Sequence, residues 1–170
     1  MKRQLLVFVL LLPIFAYGCI TPKYDVTDEA IINASPDVVY KAMMDEYDGK
    51  TNWSMPYQSS KLREGDSCGN VGALVEITVP AKIQLKFTAK TGEVKDNEMI
   101  RFNYEGDFVG EGLWKFERLD GKTKLSLRWR VSPSRLLLRI LAPLIPIEKD
   151  HSKVMQGGFN NLNKFLERKS

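Results

Sequence analysis

Histidine is almost missing from this chain: His151 is the only one in 170 residues, and there are just two cysteines, Cys19 and Cys68. That is too few for a structural zinc site or a disulfide framework. No zinc-protease, lipase-elbow or dinucleotide-binding pattern occurs. Gly110-Glu111-Gly112 lies inside a strand pattern with no Gly-Lys-Ser/Thr after it, so it is not a phosphate loop. There is no internal repeat and no low-complexity tract. Nor is there an excess of one charge: 25 Lys and Arg are scattered among 21 Asp and Glu, for a net charge of +4. A nucleic-acid binder concentrates its basic residues in one stretch, so no nucleic acid is expected as a partner. No apolar run reaches the roughly 20 residues that a membrane-spanning helix requires. What remains is 170 residues, 44% hydrophobic and 27% charged, enough for one domain with its own core and a short appendage.

The appendage comes first. Residues 1–18 read as an export signal: Lys2 and Arg3 give a positive start, Leu5 to Tyr17 the apolar run, and Ala16-Tyr17-Gly18 small residues before a cleavage point. Cys19 follows directly, and the arrangement resembles the lipobox of bacterial lipoproteins, in which the cysteine sulfur is lipidated and becomes the mature N-terminus. Ala16 stands where a lipobox usually carries Leu, and Tyr17 is bulkier than usual. The resemblance implies a lipid anchor on Cys19 and a place in the bacterial cell envelope, facing the periplasm or exterior. Two other readings stay open. One is an ordinary signal peptide cut after Gly18, with Cys19 free to pair with Cys68 in an oxidising compartment; the other is a retained anchor. Removing residues 1–18 deletes Lys2, Arg3 and no acid, which lowers the net charge to about +2 and weakens any case for a polyanionic partner.

Residues 19–27 read as a tether, and the folded domain as 28–170. Glu29 to Ala34 is strand-like. Ser35-Pro36 then opens a helix, serine being a good N-cap and proline suited to the first turn. Val38, Val39, Ala42 and Met43 share one face of that helix, which is expected to end near Asp45. Asp48 to Trp53 is expected to form a second short helix, closed by Pro56. From about Leu62 to Val131 the pattern turns to period two, as in Ala73/Val75/Ile77/Val79, Ile83/Leu85/Phe87, Ile100/Phe102/Tyr104, Trp114/Phe116 and Leu125/Leu127/Trp129/Val131. Turn signals at Pro80, Lys95-Asp96-Asn97 and Asp120-Gly121 separate these runs, which predicts an antiparallel meander with one apolar and one wet face. Leu136 to Ile147 is apolar and broken by Pro143 and Pro146. It reads either as a hydrophobic lip able to touch lipid or a partner, or as a buried cover over one end of the sheet. Val154, Met155, Phe159, Leu162, Phe165 and Leu166 mark a long amphipathic helix over 152–169.

Three stretches carry a resemblance. Glu29-Ala-Ile-Ile-Asn-Ala-Ser-Pro-Asp-Val-Val-Tyr-Lys-Ala-Met-Met-Asp45 followed by Trp53 resembles the opening of the START-like (SRPBCC) superfamily, which includes polyketide cyclase/dehydrase-type proteins and the birch-pollen-allergen fold. Gly110 to Glu117 with Gly121-Lys-Thr-Lys-Leu125 resembles its late hairpin, and Gly158 to Glu167 its closing helix. The resemblance spans about Asp28 to Glu167. It implies an α+β helix-grip fold: a curved antiparallel sheet of six or seven strands around a long C-terminal helix, with two short helices after the first strand. The superfamily shares no catalytic signature.

In such a fold the inward aromatic residues Phe87, Phe102, Tyr104, Trp114, Phe116 and Trp129, with Met155 and Phe159 of the last helix, are expected to line a cavity. Gly110 and Gly112, on the strand face of Trp114, either leave volume unfilled or serve sheet bending. A pocket of this kind suits a small hydrophobic ligand, lipid-like or aromatic. His151 is expected to lie in solvent. Asp45, Glu46 and Asp48 sit at a helix end, where carboxylates cap and solvate, and Cys68 lies in a turn with no histidine near it in sequence. Lys124, Arg128 and Arg130 read as a solvated face. No catalytic residue, cofactor or metal ligand is assigned. The function that follows is a binding module; the alternatives are a cyclase/dehydrase-type enzyme, in which a Tyr, Asp or Glu moves a proton, and an envelope scaffold without ligand.

Overall fold

The computed structural model describes residues 23–80 and 84–169; residues 1–18, read above as an export signal, and Cys19 and Ile83 lie outside the described residues. Seven strands form one antiparallel sheet: β1 (Tyr24–Ile32), β2 (Ser59–Glu64), β3 (Leu74–Val79), β4 (Leu85–Lys95), β5 (Met99–Gly106), β6 (Phe108–Leu119) and β7 (Lys122–Pro133). Their order is β1-β7-β6-β5-β4-β3-β2, so strands 2 to 7 run as a meander and β1 closes beside β7. Helix α1 (Pro36–Tyr47) follows β1; α2 (Leu136–Leu141), a single 3-10 turn (Ala142–Leu144) and the long α3 (Ile147–Glu167) follow β7.

The period-two pattern places one face of every long strand inward. Ile100, Phe102 and Tyr104 of β5, Trp114 and Phe116 of β6, and Leu125, Leu127, Trp129 and Val131 of β7 are all buried against α1 and α3. The facing stripe of α3 is Met155, Phe159, Leu162 and Leu166. Every residue of this core lies between Tyr24 and Leu166, so the chain from Ile20 onward contains the whole core and folds as a unit. The outer face of the sheet is wet, as expected. Arg101 and Arg130 both hold Glu111 (2.9 and 2.8 Å), Arg128 holds Asp25 (2.7 Å) and Lys124 holds Glu29 (2.9 Å), so these cations are occupied in cross-strand pairs.

Three boundaries differ from the sequence reading. β1 begins at Tyr24, inside the span read as a tether, and pairs with β7 from Tyr24↔Val131 to Ile32↔Thr123. Its inward face carries Tyr24, Asp28 and Ile32, all buried, with Val26 and Ala30 half-buried between them, and the aspartate in the middle hides the apolar alternation. Helix α3 begins at Ile147, directly after Pro146, rather than at Ser152. The second short helix does not form: residues 48–58 are turns. The buried Glu46 carboxylate captures that segment by accepting from the backbone N–H groups of Trp53 (3.0 Å) and Ser54 (3.1 Å), the Thr51 hydroxyl (2.7 Å) and the Ser54 hydroxyl. Donors held by a side chain are not free for a helical ladder.

Candidate functional site

Between the sheet and α3 lies a cavity of about 680 Å3, within the usual range for small-molecule sites. Its walls come from the sheet interior (Ile77, Leu85, Phe87, Tyr104, Phe108, Trp114, Leu127 and Trp129), from the loop held by Glu46 (Pro56, Tyr57 and Gln58), and from α3 (Val154 and Met155). Leu138, Leu144, Ile145 and Pro146 border it at one end. The lining is mainly apolar; its polar members are Gln58, the tyrosines, His151 and, on the exposed first turns of α3, Asp150 and Lys153.

Five of the ten residues expected at a cavity line it: Phe87, Tyr104, Trp114, Trp129 and Met155. The other five do not. Phe102 is fully buried beneath it, with its ring 5.1 Å from Tyr47, and Phe116 packs edge-on against Tyr40 at 5.4 Å. Phe159 packs edge-on against Trp114 at 6.1 Å and borders only a void of about 20 Å3, room for about one water. Gly112 faces inward, but the volume above it is taken: a Cβ there would lie 2.8 Å from ring carbons of Tyr104. Gly110 has φ +145°, and a Cβ would come within 2.8 Å of the Val131 Cα, so its role is the close approach of β6 to β7. The glycines thus seat an aromatic ring and let two strands approach closely, and neither leaves volume unfilled.

The polar groups are specific. Trp114 donates its indole N–H to the Tyr47 hydroxyl at 3.0 Å. Tyr104 lines the cavity, and its hydroxyl has no hydrogen-bond partner among the described residues. Burial pushes both phenols up, so they stay protonated and act as donors. The sequence reading placed His151 in solvent; instead its ring stacks on Trp129 (4.3 Å between centroids, 14° between planes), and only 13% of its side chain is exposed. The reason is Asp28: on an inward position of β1 and 6% exposed, its Oδ2 lies 2.9 Å from His151 Nδ1. Burial works to raise the Asp28 carboxyl, but the bonds from His151 and Ser152 outweigh it, and the net shift is downward. An ionised carboxylate only accepts, so Nδ1 carries the proton. Nε2 has no partner among the described residues and belongs to a ring that borders the cavity; in the neutral imidazole with its proton on Nδ1, Nε2 is the acceptor. Such a pair can accept a ligand hydroxyl or take its proton.

Asp28 carries a stability signature. Because its native carboxyl lies below the ordinary 3.8, its contribution is complete at higher pH and is lost as pH falls through the lowered native value. The gap in melting temperature between wild type and Asp28→Asn is therefore expected to be widest near neutrality and to close below pH 3.8. A gap that widens in acid would contradict the pairing.

The remaining candidates are structural. Asp45 pairs with Lys41 at 2.8 Å, and Asp48 accepts the Cys68 backbone N–H at 2.7 Å. The Cys68 thiol is fully buried, 3.3 Å from the Met44 sulfur, and burial pushes its pKa far up, so it is no nucleophile. Its resistance to thiol reagents would report burial rather than pairing with Cys19. Among the described residues there is no cluster of His, Cys, Asp and Glu able to hold a metal ion. Sequence reasoning missed Asp28 and His151; an aspartate among the inward positions of a strand was the available signal for the first.

No protein-family model matches the chain. No curated protein matches it either. Solved structures do. A START superfamily protein from Mycobacterium smegmatis aligns with a TM-score of 0.64 and 15% identity, over 86% of this chain and 99% of that one. An aromatase/cyclase from a Streptomyces species aligns at 0.64 and 14%, over 85% and 94%. A Thermus thermophilus protein aligns at 0.65 and 18%, over 82% and 97%. With seven antiparallel strands curved around a 21-residue terminal helix and these alignments, the chain has the START-like, helix-grip fold.

Proposed function

We propose that this chain is an exported, lipid-anchored binding protein that holds a small hydrophobic molecule, lipid-like or aromatic, in the cavity between the sheet and α3. The observation that carries the proposal is the cavity: about 680 Å3 of apolar-lined space inside a sheet whose other inward positions are tightly filled. A closely packed domain of this size ordinarily keeps few voids larger than a water. Burial of the ligand's apolar body supplies affinity, at roughly 25 cal/mol per Å2 removed from water. Nε2 of His151 and the hydroxyl of Tyr104 supply orientation, which favours a ligand with one hydroxyl or carboxyl group. The anchor rests on the export signal and Cys19. Fatty-acid labelling is expected to tag the wild type and leave Cys19→Ser unlabelled; equal labelling of both would remove it.

A second reading is supported by the His151–Asp28 pair and by the fold shared with an aromatase/cyclase. The pair would take a proton from a substrate held in the same cavity, as in a cyclase/dehydrase-type enzyme. Mass spectrometry of small molecules released from the purified protein separates the readings. An intact lipid-like or aromatic molecule supports binding. A polyketide-like acid that is turned over by wild type and not by His151→Ala supports catalysis. Release of nothing, with no uptake of added lipid, would contradict both and leave a scaffold.

A further inference from the structure

We propose that the segment from α2 through the 3-10 turn is a membrane-docking lip that sets the mouth of the cavity against a bilayer containing anionic lipid. The segment is amphipathic in an unusual direction. Leu138 and Ala142 are buried and fasten it to the domain, while Leu136, Leu137, Ile140 and Leu144 are 71%, 62%, 61% and 81% exposed. Isolated exposed leucines are ordinary, but four within nine residues form a continuous apolar surface. It is also held in place. The residue just before the segment, Arg135, pairs through Nε with the buried Asp107 at 2.6 Å, Ser134 N–H donates to the Asp107 carbonyl at 3.0 Å, and the Ser134 hydroxyl donates to the Gly106 carbonyl. A presented surface of this sort is built rather than frayed.

Two observations choose the occupant. The first is charge. Between Pro133 and Ile147 the chain carries Arg135 and Arg139 and no carboxylate, and Arg139 is exposed with no ion-pair partner among the described residues. With Arg135 engaged by Asp107, leucines beside the unpaired Arg139 match an acyl-chain boundary topped by phosphate headgroups. The second is the direction from which the chain arrives. β1 starts at the end of the sheet where β7 finishes: Lys23 N–H donates to the Ser132 hydroxyl at 3.0 Å, and Tyr24 pairs with Val131. Cys19 is four residues before Lys23, a covalent reach of at most about 14 Å. An anchor on Cys19 therefore holds to the membrane the same end of the molecule that presents the leucines. This second argument rests on the proposed anchor; the first does not. Leu138, Leu144, Ile145 and Pro146 also border the cavity, so a docked lip would open the ligand site toward lipid and away from water.

The test uses residues 20–170, which contain the whole core and lack Cys19, so its outcome is independent of acylation. Co-sedimentation with phosphatidylethanolamine vesicles, with and without phosphatidylglycerol, reads the docking. The chain is expected to bind the phosphatidylglycerol vesicles, and binding is expected to weaken roughly tenfold or more when Leu136, Leu137 and Ile140, which do not line the cavity, are all changed to Ser. Arg139→Glu should weaken it less and remove the preference for phosphatidylglycerol. All four positions are exposed, so melting temperatures should stay near wild type, which separates lost docking from lost folding. Uptake of an apolar fluorescent probe by the Ser variant checks the cavity separately, so failure of the lip and failure of the ligand site give different patterns. Equal binding by wild type and Ser variant, or binding by neither, would overturn the proposal. So would a lipid-free dimer that the Ser substitutions dissociate, because the occupant would then be a second copy of the chain.

Discussion

Leu162→Asp is expected to abolish cooperative folding. Leu162 sits in the inward stripe of α3, fully buried, on the only helix among the described residues long enough to cover the sheet. Deleting a buried leucine side chain alone costs roughly 2–5 kcal/mol. The aspartate adds the desolvation of an unpaired carboxylate, several kcal/mol more, unless it is protonated. Together these rival the whole stability of a domain, about 5–15 kcal/mol. Circular dichroism on heating should show no sharp transition in this variant. An unchanged transition would mean that α3 does not pack where the structure puts it, and the cavity would then lose one wall.

Glu46→Ala is expected to be the most damaging substitution of a charged residue. The carboxylate is 2% exposed and accepts four hydrogen bonds from Thr51, Trp53 and Ser54. Alanine leaves two backbone N–H groups without an acceptor, at roughly 1–3 kcal/mol for each that stays buried. Glu46→Gln keeps an acceptor oxygen and should lose less. The loop so released carries Pro56, Tyr57 and Gln58 into the cavity wall, so ligand affinity should fall along with stability. Denaturant melts of the two variants check the ranking; equal loss in both would mean that charge, rather than acceptor geometry, holds the loop.

These two residues also mark the limits of what could be read in the sequence. The meander was legible because strands with one buried face must alternate, and Leu125-Ser-Leu-Arg-Trp-Arg-Val131 alternates without a break. α3 was legible for the same reason at helical period, though its first turn was hidden behind Pro146. Residues 48–58 were misread because local propensity competes there with a carboxylate from the preceding helix, a contact that no window of neighbours contains. The cavity was foreseen as a consequence of the fold. Its lining was half foreseen, because period two tells which face a residue occupies but not how deep: Phe102 and Phe116 face inward and are simply covered by α1. His151 was placed in solvent because its neighbours are charged. Its partner Asp28 lies 123 positions away on β1, and only the β1–β7 pairing brings the two together.

The central claim is that the space between sheet and helix is a ligand site, and fluorescence titration with an apolar probe tests it most directly. Trp114 and Trp129 both line the cavity, so a probe entering it should quench their emission and saturate. Leu85→Trp, at a half-buried position on the cavity wall, adds bulk into the same space. The account predicts saturable binding by wild type and roughly tenfold weaker binding by Leu85→Trp, with a melting temperature close to wild type because an empty space is being filled rather than a packed core strained. Probe binding that Leu85→Trp leaves unchanged, or no binding by wild type together with a large fall in the melting temperature of Leu85→Trp, would contradict it.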